Sequence, residues 1–554
     1  MTSWNGGDDA PANGPPEESE EAYRLRVYGT IETLNEDASG KTKRRSRSTT
    51  TTSFRRLSEK VSGELVRRRS SLQEALPDTT QGWMVLLSVL SSAILGYEIN
   101  LQKSLTCPPT VFGQFDSGPM KDIYHNIITS KREDSFLLRT IQPSLFVGTR
   151  AMMSSAAAFF MGGPRSTKEH VRFREIFTMA ADGARIAVDW ELPISPSSSS
   201  SSALSVEQRK NEILRGPIQQ PVVLILHGIN NDSSFGYVRS LMRACTERGW
   251  VAAGMNFRGC GGVPLRTPRG YNGAYTGDLR GVVRSIAHRM GDNSRLFLVG
   301  NSLGANILTK YLGEEGLGGT LPKCVAGAVA LGNPMRNDSS KFNSIFSSLM
   351  ALGVKKTILM NWTTLKHMNN PAYRAAIRKA LLAVTLADFD NAMAPLFVRN
   401  DSLYPYAFRV GYEDGQDYWN DASSFILSRH VSIPMMQLIS NDDFLCYGPF
   451  LNRLHFLVTN PNIMVVQTKC GGHLGWQEAP PGGSNIGNIG TSWADVATTE
   501  FIEAVLETRR KRCEEGSSDH APETREQNHE ILQDDHEVSS LGEIEDTPLL
   551  ISRL

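Results

Sequence analysis

The sequence predicts an α/β protein, a mostly parallel sheet with helices on both faces, and three observations carry that reading. Short apolar runs at 222–226, 250–256, 295–299, 325–331, 435–439 and 463–468 alternate with helical patterns. Their near-continuous apolar character suits strands that are buried on both faces. Between one run and the next helix stands Gly300-Asn301-Ser302-Leu303-Gly304, a sharp turn with a serine at its apex. Glycines two residues either side spare the strained serine backbone a clash, and the turn presents the hydroxyl at the carboxyl ends of the strands.

Taken in order, residues 1–80 are rich in Ser, Thr, Glu and Arg and poor in aromatics. They form an expected disordered arm, too polar to bury enough surface to offset ordering. Its lysines and arginines suit an anionic membrane surface or simple solvation. Residues 82–99 form a candidate membrane anchor: Gly82 to Tyr97 is uncharged, with Trp83 and Tyr97 at its ends, as at two membrane interfaces. The run is shorter than the about 20 residues a span requires, so an interfacial helix is the competing reading. If it spans, the basic arm places the N-terminus on the cytoplasmic side. Residues 100–169 are expected to be a membrane-proximal helical region.

The folded domain opens with an alternating hairpin over 172–178 and 185–190, turned at Asp182-Gly183. A serine run, 197–202, reads as a flexible insertion. The sheet then builds through residues 170–335 and resumes over 431–508, closing with a helix from 492 to about 508. The stretch 336–430 is too long for a structureless loop and has helical periodicity around Ile345, Phe346, Leu349 and Leu352, so it reads as a helical cap. Residues 509–554 are expected to be a disordered acidic tail.

Lysine plus arginine and aspartate plus glutamate number 58 each, so net charge gives no reason to expect nucleic acid. Seven cysteines without a C-x-x-C pair form neither a disulfide framework nor a zinc site, and no metal or other cofactor is expected.

A serine hydroxyl used as a nucleophile needs a base, and that base needs a carboxylate to hold its tautomer. Asp442-Asp443 follows the run 435–439, and His473 follows the last strand within Cys470-Gly471-Gly472-His473-Leu474-Gly475. Both therefore fall on the rim that carries Ser302. Asp443, one residue further into its loop, is read as the acid and Asp442 as a loop-shaping residue; the reverse assignment stays open. For the oxyanion, the amides of Leu303 and Ile229 are the candidates. Leu303 opens the helix, and Ile229 lies in His227-Gly228-Ile229-Asn230-Asn231 after the first parallel strand. His227 reads as an orienting group within that loop.

These residues, with Asp189-Trp190, Asn256-Phe257-Arg258-Gly259-Cys260-Gly261-Gly262, Thr267-Pro268-Arg269, Tyr271 and Asp278-Leu279, resemble the α/β-hydrolase superfamily over roughly residues 170–507. Within it the sequence is similar to the branch of YheT-type esterases, plant embryogenesis-associated hydrolases and mammalian membrane-anchored phospholipases. The resemblance implies the α/β-hydrolase fold and a serine hydrolase acting on acyl esters, often lipids at a membrane. Phe444 departs from it, standing where the branch often has proline. An acyltransferase using the same triad, and a membrane-tethered interaction protein with an inert hydrolase fold, are the alternatives. Oligomeric state is not legible in the sequence.

Overall fold

The computed structural model describes residues 79–130, 134–160, 171–193, 205–336, 344–366, 370–400, 408–445, 454–479 and 492–518. The expected disorder of 1–78 and 519–554 and the serine insertion at 197–202 lie outside these residues. The chain divides into two units, 1–92 and 93–554. The described part of the first is the opening half of one helix, α1 (Thr80–Leu105).

The second unit is built on a nine-stranded sheet. Its strands, in chain order, are β1 (Thr110–Phe112), β2 (Arg172–Thr178), β3 (Arg185–Glu191), β4 (Val222–Leu226), β5 (Val251–Asn256), β6 (Leu296–Asn301) and β7 (Val325–Leu331), then, beyond the 336–430 insertion, β10 (Met435–Ser440) and β11 (Ile463–Thr468). Across the sheet they run β1-β11-β10-β7-β6-β4-β5-β3-β2. The pairs from β11 to β5 are parallel, while β1, β3 and β2 add antiparallel edges. The two-residue period of a strand sends alternate side chains to opposite faces. Val222, Leu224 and Leu226 join Leu296 and Leu298 in one core layer. Val223 and Ile225 join Phe297 and Val299 in the other. Neighbouring strand ends thus come to one rim, where β4, β6, β10 and β11 release the loops that carry the candidate site.

The insertion carries helices Ser344–Met360, Trp362–Leu365, Pro371–Leu382, Leu386–Met393 and Gly415–Ala422. Ile358, Leu365, Tyr373 and Ile377 give it an apolar cluster, which Leu265 of the loop after β5 joins. It also contains a short antiparallel ribbon, β8 (Val398–Asn400) with β9 (Phe408–Val410), which helical periodicity did not predict.

Other boundaries also differ from expectation. The region 100–169 is not wholly helical: β1 pairs antiparallel with β11 at the sheet edge, Phe112 opposite Val465. Three residues are too few to show an alternation. The candidate anchor at 82–99 belongs to a longer helix reaching Leu105. At the other end, the closing helix runs Trp493–Ser518 and takes in the first ten residues assigned to the disordered tail. Charge supports that extension: Arg510 pairs with Glu507 and Glu514 on its own helix, and Arg512 reaches Asp122 at 2.7 Å.

Candidate active site

Strand β6 delivers Ser302 at the top of the sheet with φ 54° and ψ −118°, a conformation that a side chain rarely adopts. The glycines around it are required, although not through the serine backbone itself. A Cβ on Gly300 would lie 2.5 Å from the Gly304 carbonyl oxygen, in the first turn of the following helix. A Cβ on Gly304 would lie 2.5 Å from the His227 carbonyl oxygen. Strand, helix and the neighbouring loop therefore close on one another with only hydrogen at these positions.

His473 Nε2 lies 2.7 Å from Ser302 Oγ, and His473 Nδ1 lies 2.9 Å from Asp443 Oδ2 and 3.1 Å from Oδ1. All three side chains are buried. Asp443 and His473 thus meet Ser302 from two separate strand ends. Asp442 serves the loop: its carboxylate accepts the Gly472 N–H at 2.8 Å and the Ser440 hydroxyl. Burial raises its pKa against the pull of those bonds. Phe444 stacks on Phe346 of the cap, ring centres 4.6 Å apart, and forms part of the wall beside His473.

The loop after β4 has its amides sorted. Gly228 N–H donates to Tyr237 Oη at 2.8 Å and Asn230 N–H to Tyr271 Oη at 3.0 Å. Between them, the Ile229 N–H has no hydrogen-bond acceptor among the described residues. Leu303 N–H, at the first position of its helix, has no intrahelical acceptor either. Two unspent donors thus flank the serine, the requirement for holding an oxyanion. His227 is fully buried, its Nδ1–H donating to the Gly228 carbonyl at 2.7 Å and its Nε2 accepting the Phe257 N–H at 3.1 Å. Burial lowers its pKa to about 4, so it is a neutral brace between the β4 and β5 loops. Arg258 is buried as well, bonded twice to Asp278 at 2.7 and 2.5 Å and to Asp182 at 2.8 Å. It joins the opening hairpin to the rim.

Two of these supports escaped sequence reasoning. Tyr237 sits inside an amphipathic helix with nothing local to set it apart, and Ser155, which accepts the His473 N–H at 2.8 Å, lies in an alanine-rich run. Only the packing of distant segments reveals either.

Residues 218–382 match the family described as serine aminopeptidase, S33. Embryogenesis-associated protein EMB8 of Picea glauca is 27% identical over 375 residues, 65% of this chain and 71% of that protein. Monoacylglycerol lipase of Saccharomyces cerevisiae is 30% identical over 268 residues, 46% of this chain and 55% of that protein. Phospholipase ABHD3 of Mus musculus is 25% identical over 343 residues, 62% of this chain and 74% of that protein. The chain has the α/β-hydrolase fold.

Two apolar cavities meet beside the serine, which opens on the outer one. An outer groove, bordered by Met152 and Phe160 on one side and by Phe346 and Leu349 of the cap on the other, leads to Ser302 and His473. An inner pocket lies beneath the cap, with Val354, Ile358, Ile377 and Phe389 among its walls. Ile229, Leu303, Leu386 and Trp419 line both spaces. A carbonyl held by the Ile229 and Leu303 amides would have apolar room on either side.

Proposed function

We propose that this protein is a carboxylic ester hydrolase that cleaves lipid esters through Ser302, His473 and Asp443. The observation that carries this reading is the unbroken relay from Asp443 through His473 to the Ser302 hydroxyl, with Nε2 2.7 Å from Oγ. Ser302 Oγ attacks the acyl carbonyl as His473 Nε2 takes its proton, and Asp443 stabilises the imidazolium. The Ile229 and Leu303 amides hold the oxyanion, and His473 returns the proton to the departing alcohol. Water, deprotonated by the same nitrogen, then releases the acid and restores the serine.

The lipid character of the substrate rests on the two cavities. The acyl chain enters the inner pocket, whose walls are mostly apolar, and the alcohol portion lies in the outer groove, bordered by Met152 and Phe160, both exposed. Names of relatives agree in kind, a monoacylglycerol lipase and a phospholipase. The protein acts as a single-pass membrane protein with a cytoplasmic N-terminus, a reading supported by α1, in which Trp83–Leu105 has the length and mean hydropathy, 1.6, of a membrane span.

Activity-based labelling tests the reading. A fluorophosphonate should label the wild type and not Ser302→Ala, and ester hydrolysis should fall at least about 10³-fold in that variant. Equal labelling of both proteins would refute the nucleophile. Lipids that accumulate in cells carrying Ser302→Ala would name the head group.

A further inference from the structure

His473 sits in a loop whose backbone is not at rest. Gly471, Gly472, Leu474 and Trp476 have φ of 152°, 59°, 67° and 48°, so two residues with side chains occupy the left-handed region. Such a conformation persists only where surrounding structure over-determines it. Asp442 accepts the Gly472 N–H and Thr468 the Trp476 Nε1–H, and further partners come from a segment ahead of the opening hairpin. His473 N–H donates to Ser155 Oγ at 2.8 Å, and the Ser155 hydroxyl donates to the Ala151 carbonyl at 2.8 Å, so both its roles are filled. Ser144 N–H donates to the Gln477 carbonyl at 3.0 Å, and Ala479 N–H to the Gln142 carbonyl at 2.9 Å. Arg139 grips Glu478 with two bonds of 2.8 Å. The fit is close: a Cβ on Gly472 would lie 2.2 Å from the Ala151 carbonyl oxygen, and one on Gly475 2.2 Å from Ser154 Oγ.

That segment is tied in turn to the second half of α1. Glu98 is buried, and its carboxylate accepts the Thr149 hydroxyl at 2.9 Å and a bond from Arg150, the residue immediately before the helix Ala151–Phe160. Gln102 donates to the Pro143 carbonyl at 2.7 Å. Glu98 lines neither the groove nor the pocket.

We infer that Glu98 and the segment 139–155 are a positioning device for His473: Ser155 holds the backbone of the histidine, and Glu98 fixes the helix that carries Ser155. This inference rests on the proposed serine-hydrolase chemistry. The physical need is plain, because flanking glycine leaves the ring free to drift from Ser302, and a misplacement of about 1 Å costs on the order of 10²-fold in rate. Glu98 thereby couples the seating of α1 to the competence of the triad.

The test is a double-mutant cycle in the full-length protein, purified in detergent micelles and assayed on p-nitrophenyl butyrate, with melting temperatures recorded alongside. Ser155→Ala and Glu98→Ala should each lower kcat by about tenfold to a hundredfold with KM within about twofold. In the Ser155→Ala background, Glu98→Ala should cost less than about twofold more, because both act along one path. Multiplicative losses, losses that appear only in KM, or wild-type kcat in both single variants would overturn the inference. If Glu98→Ala does not fold, the nearly isosteric Glu98→Gln takes its place in the cycle under the same criteria. A wild type that is neither active nor labelled would refute the ester-hydrolase reading instead, whereas active, labelled wild type with undiminished variants would refute only the positioning role.

Discussion

Two adjacent carboxylates, Asp442 and Asp443, are given different work by their partners. Asp443 takes the His473 Nδ1–H, and Leu445 N–H holds its Oδ1 at 2.9 Å, whereas Asp442 accepts the Gly472 amide. Asp443→Asn, which would favour the wrong imidazole tautomer, is expected to lower kcat by about 10³- to 10⁴-fold. Asp442→Asn keeps an acceptor for the Gly472 N–H and should cost far less; a steady-state comparison of the two decides the assignment. His227 makes a pH prediction. Its folded pKa, about 4, lies below the ordinary 6.5, so the unfolded chain binds the proton first as pH falls. The stability it contributes is whole above about pH 6.5 and is lost on the way down to about 4, by up to ~1.4 kcal/mol per pH unit. The difference in unfolding free energy between wild type and His227→Asn, measured in urea from pH 7.5 to 4.5, should carry that slope, since Asp495, pushed up to about 7 by burial, contributes the opposite slope to both proteins.

Among the elements, the cap borders both cavities beside the serine. Its first helix is pinned to the loop after β4, where Asn230 Nδ2 donates to the Met350 carbonyl at 3.1 Å. It is pinned again to the β5 loop, where Asn361 accepts the Leu265 N–H at 2.7 Å and donates to the Gly259 carbonyl at 3.2 Å. Val354, only partly buried, borders the inner pocket from this helix. Val354→Trp would fill the inner pocket proposed for the acyl chain, so the ratio of kcat/KM for octanoate over butyrate esters should drop about tenfold, within reach of a few methylenes. An unchanged chain-length profile would remove the acyl chain from that pocket. The helix Ala151–Phe160 has a double duty, bordering the groove and holding the His473 N–H through Ser155.

At the scale of the molecule, α1 is the element whose surroundings matter most. Residues Trp83–Leu105 number 23, about 34 Å of helix against a hydrocarbon core of about 30 Å. Ile94 and Tyr97 are exposed, while the adjacent Glu98 is buried against Thr149 and Arg150, so of this length only the stretch up to Tyr97, about 22 Å, stands clear of those contacts. Alkaline carbonate extraction of native membranes should leave the protein in the pellet; release into the supernatant would exclude a spanning helix.

Much of this molecule was legible in the chain because its periodicities are local. Runs such as 222–226 and 325–331 announce parallel strands, since every side chain in them is buried. The turn at Gly300, Ser302 and Gly304, followed by Asp443 and then His473, has the chain order in which this fold presents a nucleophile, an acid and a base. Thr110–Phe112, the ribbon at Val398–Asn400 and the extension to Ser518 were not legible, because three-residue strands show no period and a polar helix end resembles a tail. What the tertiary structure alone decided is which groups stand behind the site. Ser155 and His473 are 318 residues apart, and Glu98 and Arg150 are 52 apart. No pattern in a linear sequence encodes such pairs, because their hydrogen bonds exist only once separate segments have packed against one another.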